Sequence, residues 1–174
     1  MRTLSINTSK DEITNLIVDW IELLAQEKYS EAIDLILYDN TQIVDGEPWV
    51  WTPQKLEAAI FTYGLPWFTK EDMKREYGAD CRVDYKVTSI LNDPDKDGLL
   101  EEIEGSIDFF DNDISAEIAK TWGIVGLDYK NIIGEVLFDG VPLDGERSDL
   151  TALFWIMKLN ENEVTLVFRD LHVM

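Results

Sequence analysis

The order of elements in the chain predicts an α+β fold, with N-terminal helices packed on one face of a strongly curved, mainly antiparallel sheet. Three observations carry this. Helical periodicity and capping residues occupy about residues 9–78, whereas period-two runs of β-branched and aromatic residues occupy about 80–174. The two strongest of these runs, Asp149–Leu159 and Glu163–Val173, are joined by three polar residues, Asn160 to Asn162, as in a hairpin. With 174 residues the chain suits one domain, expected to span residues 1–174.

Each element has its own signal. Ser9 and Glu12 stand in capping-box spacing, and Ile13, Leu16, Ile17, Trp20, Leu23 and Leu24 follow at helical intervals. Ser30 is expected to cap a second helix carrying Ala32, Ile33, Leu35 and Ile36. Thr52, Pro53 and Gly64 supply the N-cap, first position and stop of a third helix. Thr69 with Asp72, ending at Gly78, predicts a fourth. In the second half, Val83, Tyr85 and Val87 alternate, as do Ile103, Ile107 and Phe109, so both segments are expected to be strands. Gly134–Val141 is a short strand candidate. Residues 111–133 fit a short helix through Ile114, Ile118 and Trp122 or an irregular strand. Asp149–Leu159 is apolar on both faces, which predicts a central strand or one lining a cavity.

Apolar residues make up 45% and aromatics 11% of the sequence, enough to offset chain entropy. Thirty-five acids oppose 15 bases, for a net charge of −20. That excess repels nucleic acid and anionic membranes and steers toward cations or a basic protein partner. No apolar run reaches the roughly 20 residues of a membrane span, and no signal-peptide pattern opens the chain, so a cytoplasmic protein is expected. One cysteine, Cys81, and one histidine, His172, exclude an internal disulfide and a Cys/His zinc cluster. Any metal site must be built from oxygen; no other cofactor is expected.

The arrangement, with the near-motif parts "KYSEAIDLI" and "SDLTALFWIMKL…LVFRDLHV", resembles the NTF2-like, or cystatin-like, α+β cone. It is also similar to small uncharacterised bacterial proteins ending in "SDLTA…DLHV". The resemblance implies a bent sheet enclosing an apolar interior, often paired into a homodimer. It spans isomerases, dehydratases, ligand binders, dimerisation modules and toxin-immunity proteins, so it does not select a function.

Three groups of residues could carry chemistry. Asp93, Asp95, Asp97, Gly98, Leu99, Glu101 and Glu104 match the spacing of a twelve-residue EF-hand loop. The strand-like flanks argue against the helices such a loop needs, and a following strand would carry Glu104 away. Two readings are left: a weak Ca²⁺ loop of Asp93, Asp95, Asp97 and the Leu99 carbonyl, or an acidic hairpin turn with Gly98 at positive φ. Asp170 and His172 share a strand face with Val164, Leu166 and Phe168, and inside a cone they could act as an acid/base pair, as in the isomerase and dehydratase relatives. Against it, i, i+2 side chains lie roughly 7 Å apart on a regular strand. Trp49, Trp51, Tyr63 and Trp67 gather around the third helix as an interface or as packing, and Tyr85, with Tyr38, Tyr77 and Asp84, could line a pocket. The leading expectation is a non-enzymatic acidic binding protein, of immunity or other inhibitor type, engaging a basic protein. A cone enzyme and a Ca²⁺ module are the alternatives.

Overall fold

The computed structural model describes residues 1–36, 42–44, 47–111 and 129–173. In chain order it contains β1 (Leu4–Ser5), α1 (Lys10–Ala25), α2 (Tyr29–Leu35), β2 (Gln42–Val44), β3 (Glu47–Trp49), α3 (Pro53–Phe61), α4 (Lys70–Tyr77) and α5 (Lys96–Gly105). Then come β4 (Ile107–Phe109), a 3₁₀ turn at Tyr129–Asn131, β5 (Ile132–Asp139), β6 (Pro142–Leu143), β7 (Glu146–Arg147), β8 (Leu150–Lys158) and β9 (Glu163–Val173). The main sheet runs β1-β9-β8-β5-β4, antiparallel at every pairing and strongly curled. The fold is therefore α+β. None of the helices is long and apolar enough to cross a membrane, among the described residues.

The helix starts follow their caps. In α1 the Ser9 hydroxyl accepts from the Glu12 N–H, and Glu12 accepts from the Ser9 N–H in return. Thr69 and Asp72 do the same for α4, and Thr52 caps α3 ahead of Pro53. The start of α2 differs from expectation: Lys28, not Ser30, is its N-cap, and no side chain caps it. The reason lies in the preceding turn. Lys28 N–H bonds the Leu23 carbonyl and Glu27 N–H the Leu24 carbonyl, with Glu27 at φ 58°, so a Schellman turn ending α1 delivers the chain directly into α2.

One apolar core joins both halves. Trp20 of α1 meets Phe154 edge-on and Phe168 at a tilt, each with ring centroids 5.1 Å apart, and Trp51 lies 4.8 Å from Phe168. These four rings are buried and fill the side of the sheet that faces the helices. Strand β8 is central, as expected, with β5 on one side and β9 on the other. Its second apolar face is also buried: Trp155 and Met157 pack with Ile132 and Val167 in a smaller cluster on the far side. Both faces of that strand are thus covered within a single chain.

One expected strand is absent and a second is cut short to β4, Ile107–Phe109. Residues 82–87 alternate in burial, with Val83 and Val87 inside, before Ile90 breaks the parity, yet only one bridge is formed among the described residues, Val87 to Leu143. The segment is strung along the β6–β7 hairpin by Thr88 N–H to the Pro142 carbonyl and Asp144 N–H to the Lys86 carbonyl, both 2.9 Å. Residues 96–105 form α5 because Leu99 and Ile103, four apart, bury one helical stripe. The alternation read through Ile103, Ile107 and Phe109 was misleading, since Ile103 belongs to the helix and Phe109 is 37% exposed on the edge strand β4. The expected division into a helical part over about 9–78 and a sheet part over about 80–174 is not clean: α5 lies within the second, β2 and β3 lie within the first, and β1 precedes both. The readings that involve Ile114, Ile118, Trp122 and Tyr38 fall outside the described residues.

Candidate functional site

The Asp170–His172 pair is displaced by one residue of extra chain. Along β8 and β9, Phe154 is opposite Phe168, but the next residue back, Leu153, is opposite Asp170, leaving Arg169 as a bulge. A bulge inverts strand parity. Val164, Leu166 and Phe168 face the helices, and beyond the bulge Leu171 takes over that face. Asp170 and His172 consequently point to the opposite side of the sheet, which corrects the expectation that they share a face with Phe168. The local bend also brings them together: His172 Nδ1 stands 3.2 Å from Asp170 Oδ2, at ion-pair distance though out of hydrogen-bond alignment. Both are about one-third exposed. The acid/base reading needed the apolar interior, and neither group is in it. The signal was present in the sequence, because the apolar positions switch from even (164, 166, 168) to odd (171, 173) at Arg169.

Arg169 is a residue the sequence reasoning missed. It is 4% exposed, with its guanidinium carbon 4.3 Å from the Trp155 ring centroid. Burial pushes its pKa down to about 10, against the pull of Asp170 and Glu135. Glu135 in turn is raised by burial and by Asp108, an effect that Arg169 opposes. This far side of the sheet holds a cation in an apolar setting.

The aromatic candidates divide into three roles. Trp51 is core, 1% exposed, and its indole Nε1 donates to the Arg169 carbonyl at 2.9 Å. Trp49, half-buried, meets both Trp51 and Trp67 edge-on, and the Lys55 ammonium sits 3.5 Å over its ring while donating to the Val50 carbonyl. Burial lowers the Lys55 pKa. Trp67 is 61% exposed and borders a groove of about 410 Å³ between α3 and α4 with Phe61, Pro66 and Phe68. Tyr63 and Tyr85 form a separate stack, ring centroids 4.9 Å apart, with Arg82 over Tyr85 at 4.2 Å. The Tyr63 hydroxyl bonds Asp149. Tyr63 holds a left-handed φ of 59° at the end of α3, in a second Schellman turn closed by Gly64 N–H to the Ala59 carbonyl.

The acidic stretch is no hairpin loop. Asp93 Oδ1 accepts from the Asp95 N–H, a local turn bond, and helix α5 begins immediately at Lys96. Gly98 lies inside the first turn and not at the expected positive φ. Helix starts at the fourth position of the would-be twelve-residue loop, so Asp97 and the Leu99 carbonyl are drawn into helical geometry and away from Asp93 and Asp95. Among the described residues no group of three His, Cys, Asp or Glu side chains is placed to hold a metal ion. Helical spacing instead puts Asp97, Glu101 and Glu104 on one face of α5.

Comparison of the chain with family models, with curated proteins and with solved structures gives no match.

Proposed function

We propose that the chain is a non-enzymatic binding protein whose acidic outer surface engages a basic protein partner, in the manner of an inhibitor or an immunity-type neutraliser. One observation carries this reading: the interior that a cone enzyme or ligand binder would use is occupied by Trp20, Trp51, Phe154 and Phe168, whose rings touch one another. Work then falls to the surface, where a net charge of −20 favours a cationic partner. The fold proposed with it is an NTF2-like cone, supported by the long first helix lying against a curled antiparallel sheet that closes on its longest strand, β9. A cytoplasmic setting accompanies the proposal. A homodimer is not needed to cover β8, because its second face is buried within one chain.

The test is retention of extract proteins on the immobilised chain at low ionic strength, followed by identification of what a salt step releases. Proteins of high isoelectric point, released by moderate salt, are expected. Retention of acidic proteins, or retention that survives high salt, would contradict the reading.

A further inference from the structure

We propose that the chain pairs with a second copy of itself through the aromatic patch at the groove between α3 and α4. Trp67 and Tyr77, 61% and 59% exposed, are the most exposed large apolar side chains among the described residues, and both belong to this one patch. The Trp67 ring centroid lies 6.4 Å from that of Phe68, which lies 6.2 Å from that of Tyr77. Behind them Trp49 meets Trp67 edge-on at 6.3 Å and connects it to Trp51 of the core. The rings are contiguous, and Trp67 is backed by packed aromatics, so covering it costs little side-chain freedom. Apolar surface gathered in this way marks a contact site, and aromatic anchors supply most of the energy of such contacts.

Charge selects the occupant. Residues 52–78, which build α3, α4 and the turn between them, hold four bases, Lys55, Lys70, Lys74 and Arg75, and four acids, Glu57, Glu71, Asp72 and Glu76. The whole net charge of −20 therefore lies in the rest of the chain. Two copies repel each other wherever those other surfaces meet, and this balanced face is where they touch at least electrostatic cost. The groove itself, of about 410 Å³, is lined by two charges of each sign, Lys55 and Lys70 with Glu57 and Glu71. Lys70 is exposed, its ammonium 4.9 Å from the Phe61 ring centroid, and neither glutamate forms an ion pair among the described residues. A surface that meets itself about a twofold axis must complement itself. A face with equal numbers of each sign sets its lysines against the other copy's glutamates, which a face of one sign cannot do. A basic partner is drawn instead to the acidic remainder, so this contact is separate from the one proposed above.

The experiment is sedimentation velocity of the intact chain over a concentration series, at about 0.01 M and about 0.1 M salt, between which the Debye length falls from roughly 30 Å to roughly 10 Å. A monomer–dimer equilibrium is expected, and added salt should strengthen it by screening the repulsion between the two acidic remainders. Salt should weaken the binding of a basic partner, so the two contacts stand or fall separately. Trp67→Ala should weaken the dimer by about tenfold or more, whereas Leu91→Ala, at an apolar side chain 50% exposed elsewhere, should leave it unchanged. Two further variants keep every ring in place: Lys70→Glu and Glu71→Lys should each weaken the dimer roughly threefold, and their equimolar mixture should recover it. A monomer at every concentration and both salts, or a dimer that Trp67→Ala leaves intact, would overturn the proposal. So would a Trp67→Ala chain whose only loss is in the retention of basic proteins from an extract, which would give the patch to the partner.

Discussion

The indole N–H of Trp51 donates across 2.9 Å to the backbone carbonyl of Arg169, the residue within the β8–β9 ladder that has no counterpart in β8. A bulge disrupts the ladder locally, and a buried carbonyl left there without a partner costs free energy. Trp51 satisfies it from the far side of the core while packing on Phe168. Trp51→Phe keeps an aromatic ring but removes the donor, and it should destabilise the fold by about 2–4 kcal/mol, the sum of an unsatisfied carbonyl and a smaller ring. Urea denaturation checks it through a lower midpoint at unchanged slope; a change under about 0.5 kcal/mol would mean that the bond does not hold the bulge.

Gly64 and Gly105 should respond oppositely to alanine. At Gly64 φ is +93° and an added Cβ would lie 3.0 Å from the Val173 nitrogen, so Gly64→Ala should cost about 2 kcal/mol or more and loosen the end of β9. At Gly105, the last residue of α5, nothing lies within 4 Å of an added Cβ, and Gly105→Ala should stabilise by about 0.5 kcal/mol. Thermal melts of the two variants give the comparison directly.

Tyr29 should titrate late. Burial first, and then the charges of Glu27 and Glu57, push its pKa from 10 up to about 12. The native state thus holds the proton more tightly than the unfolded chain, so this contribution to stability is complete below pH 10 and is lost as pH climbs through about 12. Tyrosinate absorbance should show a step near pH 12 that Tyr29→Phe abolishes; a wild-type curve with every tyrosine titrating near 10 would contradict the burial argument.

Calcium should find no specific site at the Asp93–Leu99 stretch. With the chain already helical from Lys96, titration calorimetry at millimolar Ca²⁺ should give no saturable heat that Asp95→Asn removes. A saturable heat lost in that variant would show that the helix start opens to form a loop.

Much of the fold was legible because its signals are local. Capping boxes at Ser9 and Thr69, the Thr52–Pro53 start and the β8–β9 hairpin all depend on residues within a few positions of one another. The tight turn between β6 and β7 has a local signal as well: Asp144 and Gly145, at φ 55° and 83°, are the Asp-Gly pair that a two-residue hairpin turn prefers. What escaped depends on tertiary pairing. Residues 82–87 carry a strand's alternation but lie beside the small β6–β7 hairpin, with a single bridge and no ladder among the described residues. In α5, Leu99 and Ile103 fit a helix, while Ile103 and Ile107 also fit a strand, and packing against α1 decides between them. The candidate sites suffered in the same way: one extra residue at Arg169 moved Asp170 and His172 to the other face, and one helix start took Asp97 out of the calcium pattern.

The most direct measurement is the ionic-strength dependence of the association rate constant between this chain and a basic protein that it retains. Attraction between a surface of net charge −20 and a cationic partner should make the rate fall steeply as salt is raised, while the dissociation rate changes little. An association rate indifferent to salt would contradict the claim that the acidic exterior is the working part of the molecule.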